Sequence, residues 1–235
     1  MTRAARFAGI AIAAVAPLVL ATCRDGEPTG FGRIARASVN LASLASAATP
    51  GQPNVPLDSI RVALTRVGDL APALDTVLRA RGDTIAGDSL VLRLQVQLRT
   101  DPENFSIAIT TYGAGLTWYQ ASGTAVLSAT KPATPVLTAV YVGPGANAAR
   151  VSVGPRDTVM LGGHTIGLRA TVYDSSNAPI ANVPVGYRLS DTTRGAVALP
   201  TYLTGTFTAA GAVRDSVWLI AETPTHLRDS TRIHI

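Results

Sequence analysis

Apolar and polar residues alternate along most of the chain after residue 57. Ile60, Val62 and Leu64 are separated by polar or small residues, and from Leu90 to Leu98 every second residue is leucine or valine. A period of two is typical of half-buried β-strands rather than helices. Similar short runs, bounded by Gly, Pro, Asp or Asn, lie at residues 105–109, 116–120, 124–128 and 135–142. About six or seven strands at this spacing predict an antiparallel β-sandwich over residues 57–143.

A second series of strand patterns follows residues 143–147, whose sequence GPGAN interrupts the alternation. Gly and Pro at this density mark a connection rather than the interior of a strand. The later strands are predicted at residues 150–153, 158–161, 165–173, 183–190, 196–199, 203–209, 213–221 and 230–235. The sequence therefore predicts an all-β fold of two tandem antiparallel sandwiches, the second over residues 148–235.

The first residues have the order of a secretory signal peptide. Arg3 and Arg6 precede an apolar stretch at residues 7–21, and small residues follow its core. The stretch is shorter than a membrane-spanning helix needs and contains Pro17, which favours a cleaved signal over a permanent anchor. Residues 20–23, with sequence Leu-Ala-Thr-Cys, resemble the lipobox of bacterial lipoproteins. That resemblance implies a signal peptide over residues 1–22 and a lipid attached to Cys23.

Cys23 is the single cysteine of the chain, which excludes an intrachain disulfide and a cysteine-rich zinc site. Its place directly after an apolar run fits lipid attachment, while the alternative is a coincidental cysteine near an ordinary cleavage site. Acyl chains contribute about 0.8 kcal/mol per buried CH₂, so several chains would hold the protein to a membrane. By resemblance to Gram-negative lipoproteins, Arg24 in place of aspartate after the cysteine implies the outer membrane. We therefore expect a lipid-anchored protein of the bacterial cell envelope.

Residues 23–56 carry no sustained hydrophobic pattern. Glycine and proline are frequent at residues 26–32 and again at residues 50–56. This composition predicts a flexible tether between the anchor and the first sandwich. The middle of the segment, residues 34–48, is rich in Ala, Ser and Leu and is compatible with a short helix, although no convincing caps frame it.

The second sandwich resembles a known family. The ordered series consists of Val-Ser-Val at residues 151–153, Leu-Arg-Ala-Thr-Val-Tyr-Asp at residues 168–174, Val-Pro-Val at residues 183–185 and a closing strand within residues 221–235. It resembles the bacterial immunoglobulin-like domains of group 2 over residues 148–235. The resemblance implies an immunoglobulin-like, disulfide-free sandwich that serves as a spacer or adhesive module at cell surfaces. It carries over no catalytic residues.

The net charge of +5 bears on whether the chain binds nucleic acid. Five arginines and two acids lie in residues 1–36, so the rest of the chain has little net charge. The later arginines are interspersed with acids and hydroxyl groups and form no run that would neutralise a series of phosphates. We expect no nucleic-acid partner.

The sequence offers no recognisable catalytic or metal-binding motif. Its histidines are His164, His226 and His234, and none lies in a zinc-binding or nucleophile pattern. Residues 174–177 carry oxygen ligands but lack the dense acids and the bidentate glutamate of a calcium-binding EF-hand loop. We therefore expect no enzymatic activity, no cofactor and no metal, and a spacer or adhesive module with a protein or glycan partner.

The alternative function is a carbohydrate-binding protein or a glycoside-active enzyme. An exposed tryptophan stacks on sugars or anchors protein partners, so Trp118 and Trp218 are the candidate ligand-binding residues. Trp118 and Tyr119 are neighbours on a predicted strand, so their side chains point to opposite faces and one is expected in the core. Acid pairs in predicted turns would supply the carboxylates of a glycosidase. These pairs are Asp83 with Asp88 and Asp101 with Glu103.

A third function is assembly by strand addition. Residues 230–235 form a predicted terminal strand with little beyond Arg232 to protect an open edge. Such an edge pairs with a strand of another chain.

Overall fold

The computed structural model describes residues 33–42, 51–79, 89–211 and 215–235. Nearly all regular structure in these ranges is β, which confirms the all-β fold. A 3-10 turn lies at Thr192–Arg194. Within the same ranges, no helix has the length and apolarity needed to cross a bilayer. The strands are β1 Arg33–Ala42, β2 Ser59–Arg66, β3 Pro72–Arg79, β4 Ser89–Leu98, β5 Glu103–Gly113, β6 Leu116–Leu127, β7 Val136–Thr138, β8 Val140–Tyr141, β9 Arg150–Gly154, β10 Thr158–Val159, β11 Thr165–Tyr173, β12 Pro179–Ile180, β13 Gly186–Leu189, β14 Gly195–Ala198, β15 Gly205–Ala209, β16 Ser216–Glu222 and β17 Arg228–His234.

Two sheets enclose the first core. One has the strand order β4-β1-β7 and the other the order β3-β2-β5-β6-β8. The period-two pattern of the sequence is reproduced in the burial, since Val62 and Ile107 point inwards from one sheet and Val39 and Leu94 from the other. Burial of such apolar side chains, at about 25 cal/mol per Å², holds the two sheets together.

The predicted tether is wrong for residues 33–42, which form β1 in the centre of the smaller sheet. β1 pairs antiparallel with β4 along its whole length and parallel with β7 at its end. Ala35, Ala37, Val39 and Leu41 are buried and alternate with exposed or half-buried polar residues. Two of the four buried residues of β1 are alanines, so the alternation is weak in the sequence. A run of Ala, Ser and Leu also favours a helix by local propensity. The partner strands override that propensity, because β1 completes a sheet that would otherwise be two separate strands.

The first sandwich differs from the predicted strand pattern in two further places. β3 was not predicted, because its side chains are mostly exposed or half-buried and its alternation is weak. The two strands predicted at residues 116–120 and 124–128 are one continuous strand, β6, which pairs with β5 throughout. Gly123 sits in the middle of β6, where a Cβ atom would lie 2.5 Å from Leu137 Cδ2 of the opposite sheet. The glycine therefore marks close sheet packing and not a break between strands.

The second core also lies between two sheets. One has the order β10-β17-β16-β13, and the other joins β12, β11, β15 and β14, with β9 also paired to β11. Phe207, Leu219 and Ile233 are completely buried between them. The pairing is antiparallel except between β10 and β17, which run parallel as β1 and β7 do.

The terminal strand is not the open edge that the strand-addition hypothesis requires. β17 pairs with β16 over seven residues and with β10 on its other side. Its backbone groups at Ile233 and His234 therefore face β10 rather than solvent. The strand-addition prediction for residues 230–235 is wrong in this respect, because residues 158–160 cover the edge.

The two sandwiches touch through residues that connect them, and both belong to one compact unit. Residues 51–56, which we call the crossing segment, pass from the second sandwich to the first. Gly186 lies against its start, where a Cβ atom on Gly186 would lie 2.3 Å from Gly51 O. Val55 joins the first core, and Pro56 O lies where a Cβ atom of Gly113 would be. The tether prediction is thus also wrong for residues 51–56, which are packed between the two sandwiches.

A second connection, residues 143–147, is packed on both sides. A Cβ atom on Gly143 would meet Trp118 and Tyr141 of the first sandwich, whereas one on Gly145 would meet Val183 of the second. Tyr141 Oη donates to Pro144 O at 2.7 Å. The connection is therefore held in place by contacts with both cores.

Candidate functional site

Trp118 is a core residue and not a binding surface. Its exposed fraction is 0%, and its indole Nε1 donates to Gly113 O at 2.8 Å. The ring stacks on Tyr141 with centroids 6.2 Å apart and meets the edge of Tyr202 at 5.9 Å. Tyr202 belongs to the second sandwich, so the indole lies where the sandwiches meet. The prediction of Trp118 as a ligand-binding residue is wrong for this reason.

Tyr119 is buried as well and belongs to the same apolar core as Trp118. Its ring meets the edge of Tyr141 at 5.5 Å, and its backbone amide donates to Thr111 Oγ1 at 2.9 Å. Tyr141 lies on β8, next to β6, and covers both neighbours. The prediction placed one of these two neighbours in the core, but both lie there, because the β5–β6 register shifts beside them and Tyr141 of β8 packs against both.

Trp218 is the exposed tryptophan of the described residues, with 49% of its surface accessible. It lies in β16, where Val217, Leu219 and Ala221 point into the core and Trp218 and Ile220 point out. We call the outer side of the sheet β10-β17-β16-β13 the Trp218 face. The backbone that carries the indole of Trp218 is rigid, because β16 is paired with a strand on each side.

Arginines flank Trp218 on both neighbouring strands. Arg232 of β17 is the direct cross-strand partner of Trp218. On the other side, Arg188 of β13 pairs with Ile220, which is two residues after Trp218 in β16. Side chains directly opposite in an antiparallel pair have Cβ atoms about 4.5–5.5 Å apart. Arg232 Nε and Nη2 donate to Ser216 Oγ at 3.0 and 2.8 Å. Among the described residues, neither arginine forms an ion pair with a carboxylate.

The sequence did not single out these two arginines. Their place beside Trp218 depends on the register of the β16–β17 hairpin and of the β13–β16 pair. A signal for the hairpin was present, because Glu222 and Arg228 face each other at its closing end and carry opposite charges. The pairing of β13 with β16 joins residues about thirty positions apart, and no local pattern specifies that register.

The candidate turn carboxylates that the structure describes belong to a different sandwich from the exposed Trp218. Asp101 accepts from Ala129 N, and Glu103 accepts from Arg99 N at 2.9 Å and lies 3.0 Å from Arg66 Nε. Both acids therefore organise turns of the first sandwich, whereas Trp218 lies in the second. Asp83 and Asp88 lie outside the described residues.

The loop at residues 174–177 is closed by its own side chain. Asp174 Oδ1 accepts from the backbone amides of Ser176 and Ala178, each at 2.9 Å, and from Ser176 Oγ at 2.7 Å. The hydroxyl of Ser176, followed by the amide of Ala178, holds the pKa of the Asp174 carboxyl below its usual range. In the part of the chain that the structure describes, no group of three or more His, Cys, Asp or Glu side chains converges on a metal-sized site.

The three histidines are dispersed. His164 lies in an exposed turn before β11, His226 in the turn between β16 and β17, and His234 at the far end of β17. His226 Nδ1 donates to Glu222 Oε1 at 3.1 Å, and Arg228 Nε and Nη2 donate to the same carboxylate at 2.8 and 3.1 Å. These contacts close the hairpin that carries Trp218.

Glu222 is the buried acid of this cluster. Burial alone would raise the pKa of its carboxyl, but the hydrogen bonds from Arg228 and His226 outweigh burial and hold the pKa below its ordinary value of 4.5. A carboxyl whose pKa is depressed by folding stabilises the folded state above its unfolded pKa. That stabilisation is lost as the pH falls through the folded pKa.

Glu222→Gln is expected to lower the midpoint of thermal unfolding by a few degrees at pH 7, because the charge-assisted bonds to Arg228 weaken. The difference from the unsubstituted chain should shrink as the pH falls below 4.5 and protonates Glu222 in that chain too. Thermal unfolding followed by circular dichroism between pH 3 and pH 7 measures both effects. The matched control is Asp215→Asn, just before β16, which breaks a solvent-exposed ion pair with Arg194 that contributes little to stability. A Glu222→Gln deficit that stays constant over this range would contradict the assigned ionisation.

Cys23, the predicted lipid attachment site, lies outside the described residues, as does the predicted signal peptide. The lipid anchor and the outer-membrane location therefore stay predictions.

No protein-family model matches the chain, and no curated protein matches its sequence significantly. Among solved structures, domains 4 and 5 of the surface-layer protein SbsC align over 74% of this chain and 96% of their own, with 12% identity and a TM-score of 0.32. Domains 4–9 of SbsC align over 77% of this chain, which spans only 30% of theirs, with 9% identity and a TM-score of 0.33.

A further solved structure is the fimbrial anchor protein Mfa2 from Porphyromonas gingivalis. It aligns over 83% of this chain and 82% of its own length, with 10% identity and a TM-score of 0.30. These likenesses concern general β architecture and assign no function. The resemblance to group 2 immunoglobulin-like domains stays a prediction.

Proposed function

We propose that this chain is a non-catalytic, lipid-anchored protein of the bacterial cell envelope, in which two coupled sandwiches act as a spacer that presents a binding surface. The observation that carries the proposal is the packing of residues 51–56 and 143–147 between the two cores. A spacer must hold its far end at a defined position relative to its anchor. Two domains joined only by free linkers move independently, whereas buried contacts across the junction restrict them.

The junction has specific, close contacts. Gly186 admits the backbone of Gly51 and Gln52, and Tyr202 reaches from the second sandwich to the indole of Trp118. The aliphatic stem of Arg188 packs against Gly51, where an added Cβ atom would lie 2.5 Å from Arg188 Cδ. Each of these contacts joins residues from different sandwiches or from a sandwich and the crossing segment. They support a pair that moves as one body.

The membrane part of the proposal rests on the sequence. The order of charged, apolar and small residues before Cys23 supports export and lipid attachment. Several acyl chains give stable anchoring where a single chain gives marginal, reversible binding. The anchored chain would then place the sandwiches outside the lipid.

The test uses bacteria that express the full chain, either unsubstituted or as Cys23→Ser. We expect intact-mass analysis to find a lipid on the mature N-terminus of the unsubstituted chain, which fractionates with membranes, and none on Cys23→Ser. Thr22→Ala is the control, because it changes the same motif and keeps the thiol. Protease added to whole cells should release the sandwiches if they face outwards. An unmodified Cys23 or a soluble unsubstituted chain would overturn the lipid anchor.

A further inference from the structure

The Trp218 face combines an accessible indole with two arginines that form no ion pair with any described carboxylate. The indole of Trp218 is half exposed in the centre of the face, and Val159 at its end is 80% exposed. Ser190 and Trp218 exchange hydrogen bonds, since Ser190 N donates to Trp218 O at 2.9 Å and Trp218 N donates to Ser190 Oγ at 3.1 Å. These bonds fix the backbone beneath the indole. A ligand would therefore meet a preorganised surface.

The guanidinium of Arg232 is held by Ser216, on the strand that carries Trp218. Ser216 Oγ receives two of its N–H groups, and Ser216 is two residues before Trp218 on the same face of β16. A guanidinium carries five N–H donors in a planar fork, so further donors remain for a ligand. About half of the surface of Trp218 is accessible, and this charged donor is held on the same side of the sheet.

The acids near this face are already paired. Glu222 lies on the same face but is buried and bonded to Arg228 and His226. Asp215, next to Ser216, pairs with Arg194 at 2.9 Å. Asp229 of β17 pairs with Arg156. As far as the structure describes the chain, the region around Trp218 therefore has the positive charges of Arg232 and Arg188, and its nearby acids are already paired.

We propose that the Trp218 face binds an acidic polysaccharide, with a sugar ring stacked on Trp218 and a sugar carboxylate held by Arg232. The C–H groups on one side of a pyranose are apolar and weakly positive, which matches the negative face of an indole. A carboxylate beside that ring matches the planar fork of a guanidinium, which binds carboxylates through two parallel hydrogen bonds. Arg188, on the neighbouring strand β13, adds a second positive charge to the same side of the sheet.

A neutral glycan or an apolar protein surface fits the face less well. A neutral glycan would use the indole but leave both arginines without a ligand of opposite charge. An apolar partner would have to bury the guanidinium of Arg232, and burying a charge without a partner is costly. The proposal rests on the proposed function only for presentation of this face outside the membrane.

The test titrates the full chain, purified in detergent, with polygalacturonate and with dextran as the neutral probe. Binding is measured by calorimetry and by the ligand-dependent change in tryptophan fluorescence, which is assigned to Trp218 because the buried Trp118 is out of reach of a ligand. We expect polygalacturonate to bind and to shift the emission to shorter wavelength. We expect binding to weaken with added salt, because exposed charges are screened. Dextran should bind at least about tenfold more weakly.

Trp218→Ala and Arg232→Gln are the test variants, and Arg93→Gln is the matched control. Arg93 is exposed on β4 of the first sandwich, so this substitution removes one positive charge at a site outside the Trp218 face. Each test variant should weaken polygalacturonate binding about tenfold or more, and the control should bind like the unsubstituted chain. Arg232→Gln should leave the weak dextran binding unchanged. Thermal unfolding of each variant confirms that the second sandwich is intact.

Four results would overturn the proposal. One is the absence of polygalacturonate binding, another is equal binding to dextran, and the third is an equal loss in Arg93→Gln. Stronger binding to a DNA oligonucleotide than to polygalacturonate would also overturn it, because the charge and not the sugar would then be recognised. None of these results bears on lipid attachment at Cys23, so a failure here is distinguishable from a failure of the proposed function.

Discussion

Trp118→Ala is expected to lower the free energy of unfolding by about 3–5 kcal/mol, the usual range for removing a large aromatic side chain from a core. The indole is completely buried and fills the space between Tyr141 and Tyr202, so its removal leaves a cavity that these rings cannot fill without moving. The substitution also removes the donor to Gly113 O. Denaturant unfolding followed by circular dichroism measures the loss.

Trp118→Phe and Trp218→Ala are the matched controls for this prediction. Phenylalanine keeps most of the apolar volume and loses the hydrogen bond, so it should cost less than alanine. Trp218→Ala removes the same side chain from an exposed site, where substitutions usually change stability by about 0.5 kcal/mol or less. Equal losses for Trp118→Ala and Trp218→Ala would contradict the assignment of the first indole to the core and the second to the surface.

Gly186→Ala is expected to destabilise the junction of the two sandwiches by about 1–3 kcal/mol, the usual cost of overpacking. An added Cβ atom would lie 2.3 Å from Gly51 O and 2.4 Å from the carbonyl carbon of Gln52. Backbone atoms cannot rotate away as the end of a side chain can, so the crossing segment must shift. Limited proteolysis should then cut near residues 51–56 faster, and unfolding should separate into two transitions as the sandwiches lose their coupling.

Gly167→Ala is the control for this substitution. Gly167 also lies in a strand of the second sandwich, but a Cβ atom there would meet nothing within 4 Å. Replacing such a glycine reduces the freedom of the unfolded chain, which favours a gain of about 0.4–1 kcal/mol. If Gly186→Ala were as stable and as resistant to protease as Gly167→Ala, the crossing segment would not be clamped. The spacer function would then lose its main support.

Strand predictions succeeded where large apolar residues mark the alternation. β4, β5 and β11 follow directly from leucine, isoleucine and valine at every second position. β1 was missed because alanines carry half of its inner face, and a small side chain gives a weak pattern in sequence although it is fully buried in the structure. The edge strand β3 was missed for the opposite reason, since its side chains are largely exposed and need no strict alternation.

The candidate site could be predicted only in part. Trp118 and Trp218 both lie in predicted strands, and each has an apolar or aromatic neighbour in the sequence. The local pattern therefore could not tell which of the two tryptophans is buried. Tyr141 and Tyr202 cover the first, and both come from other parts of the chain. Arg188 comes to the second through the pairing of β13 with β16. Exposure of an aromatic ring is a property of its neighbours in space.

The sequence by itself determined the period of the strands, the two-sandwich class and the residue types available for chemistry. These follow from side-chain alternation and composition, which are local properties of a strand. Only the tertiary structure decided that residues 33–42 and 51–56 are packed, that Trp118 is core, and that Trp218 lies between two arginines. The physical reason is that burial and charge pairing depend on which distant strands meet, and strand register across a sheet is set by packing of the whole core.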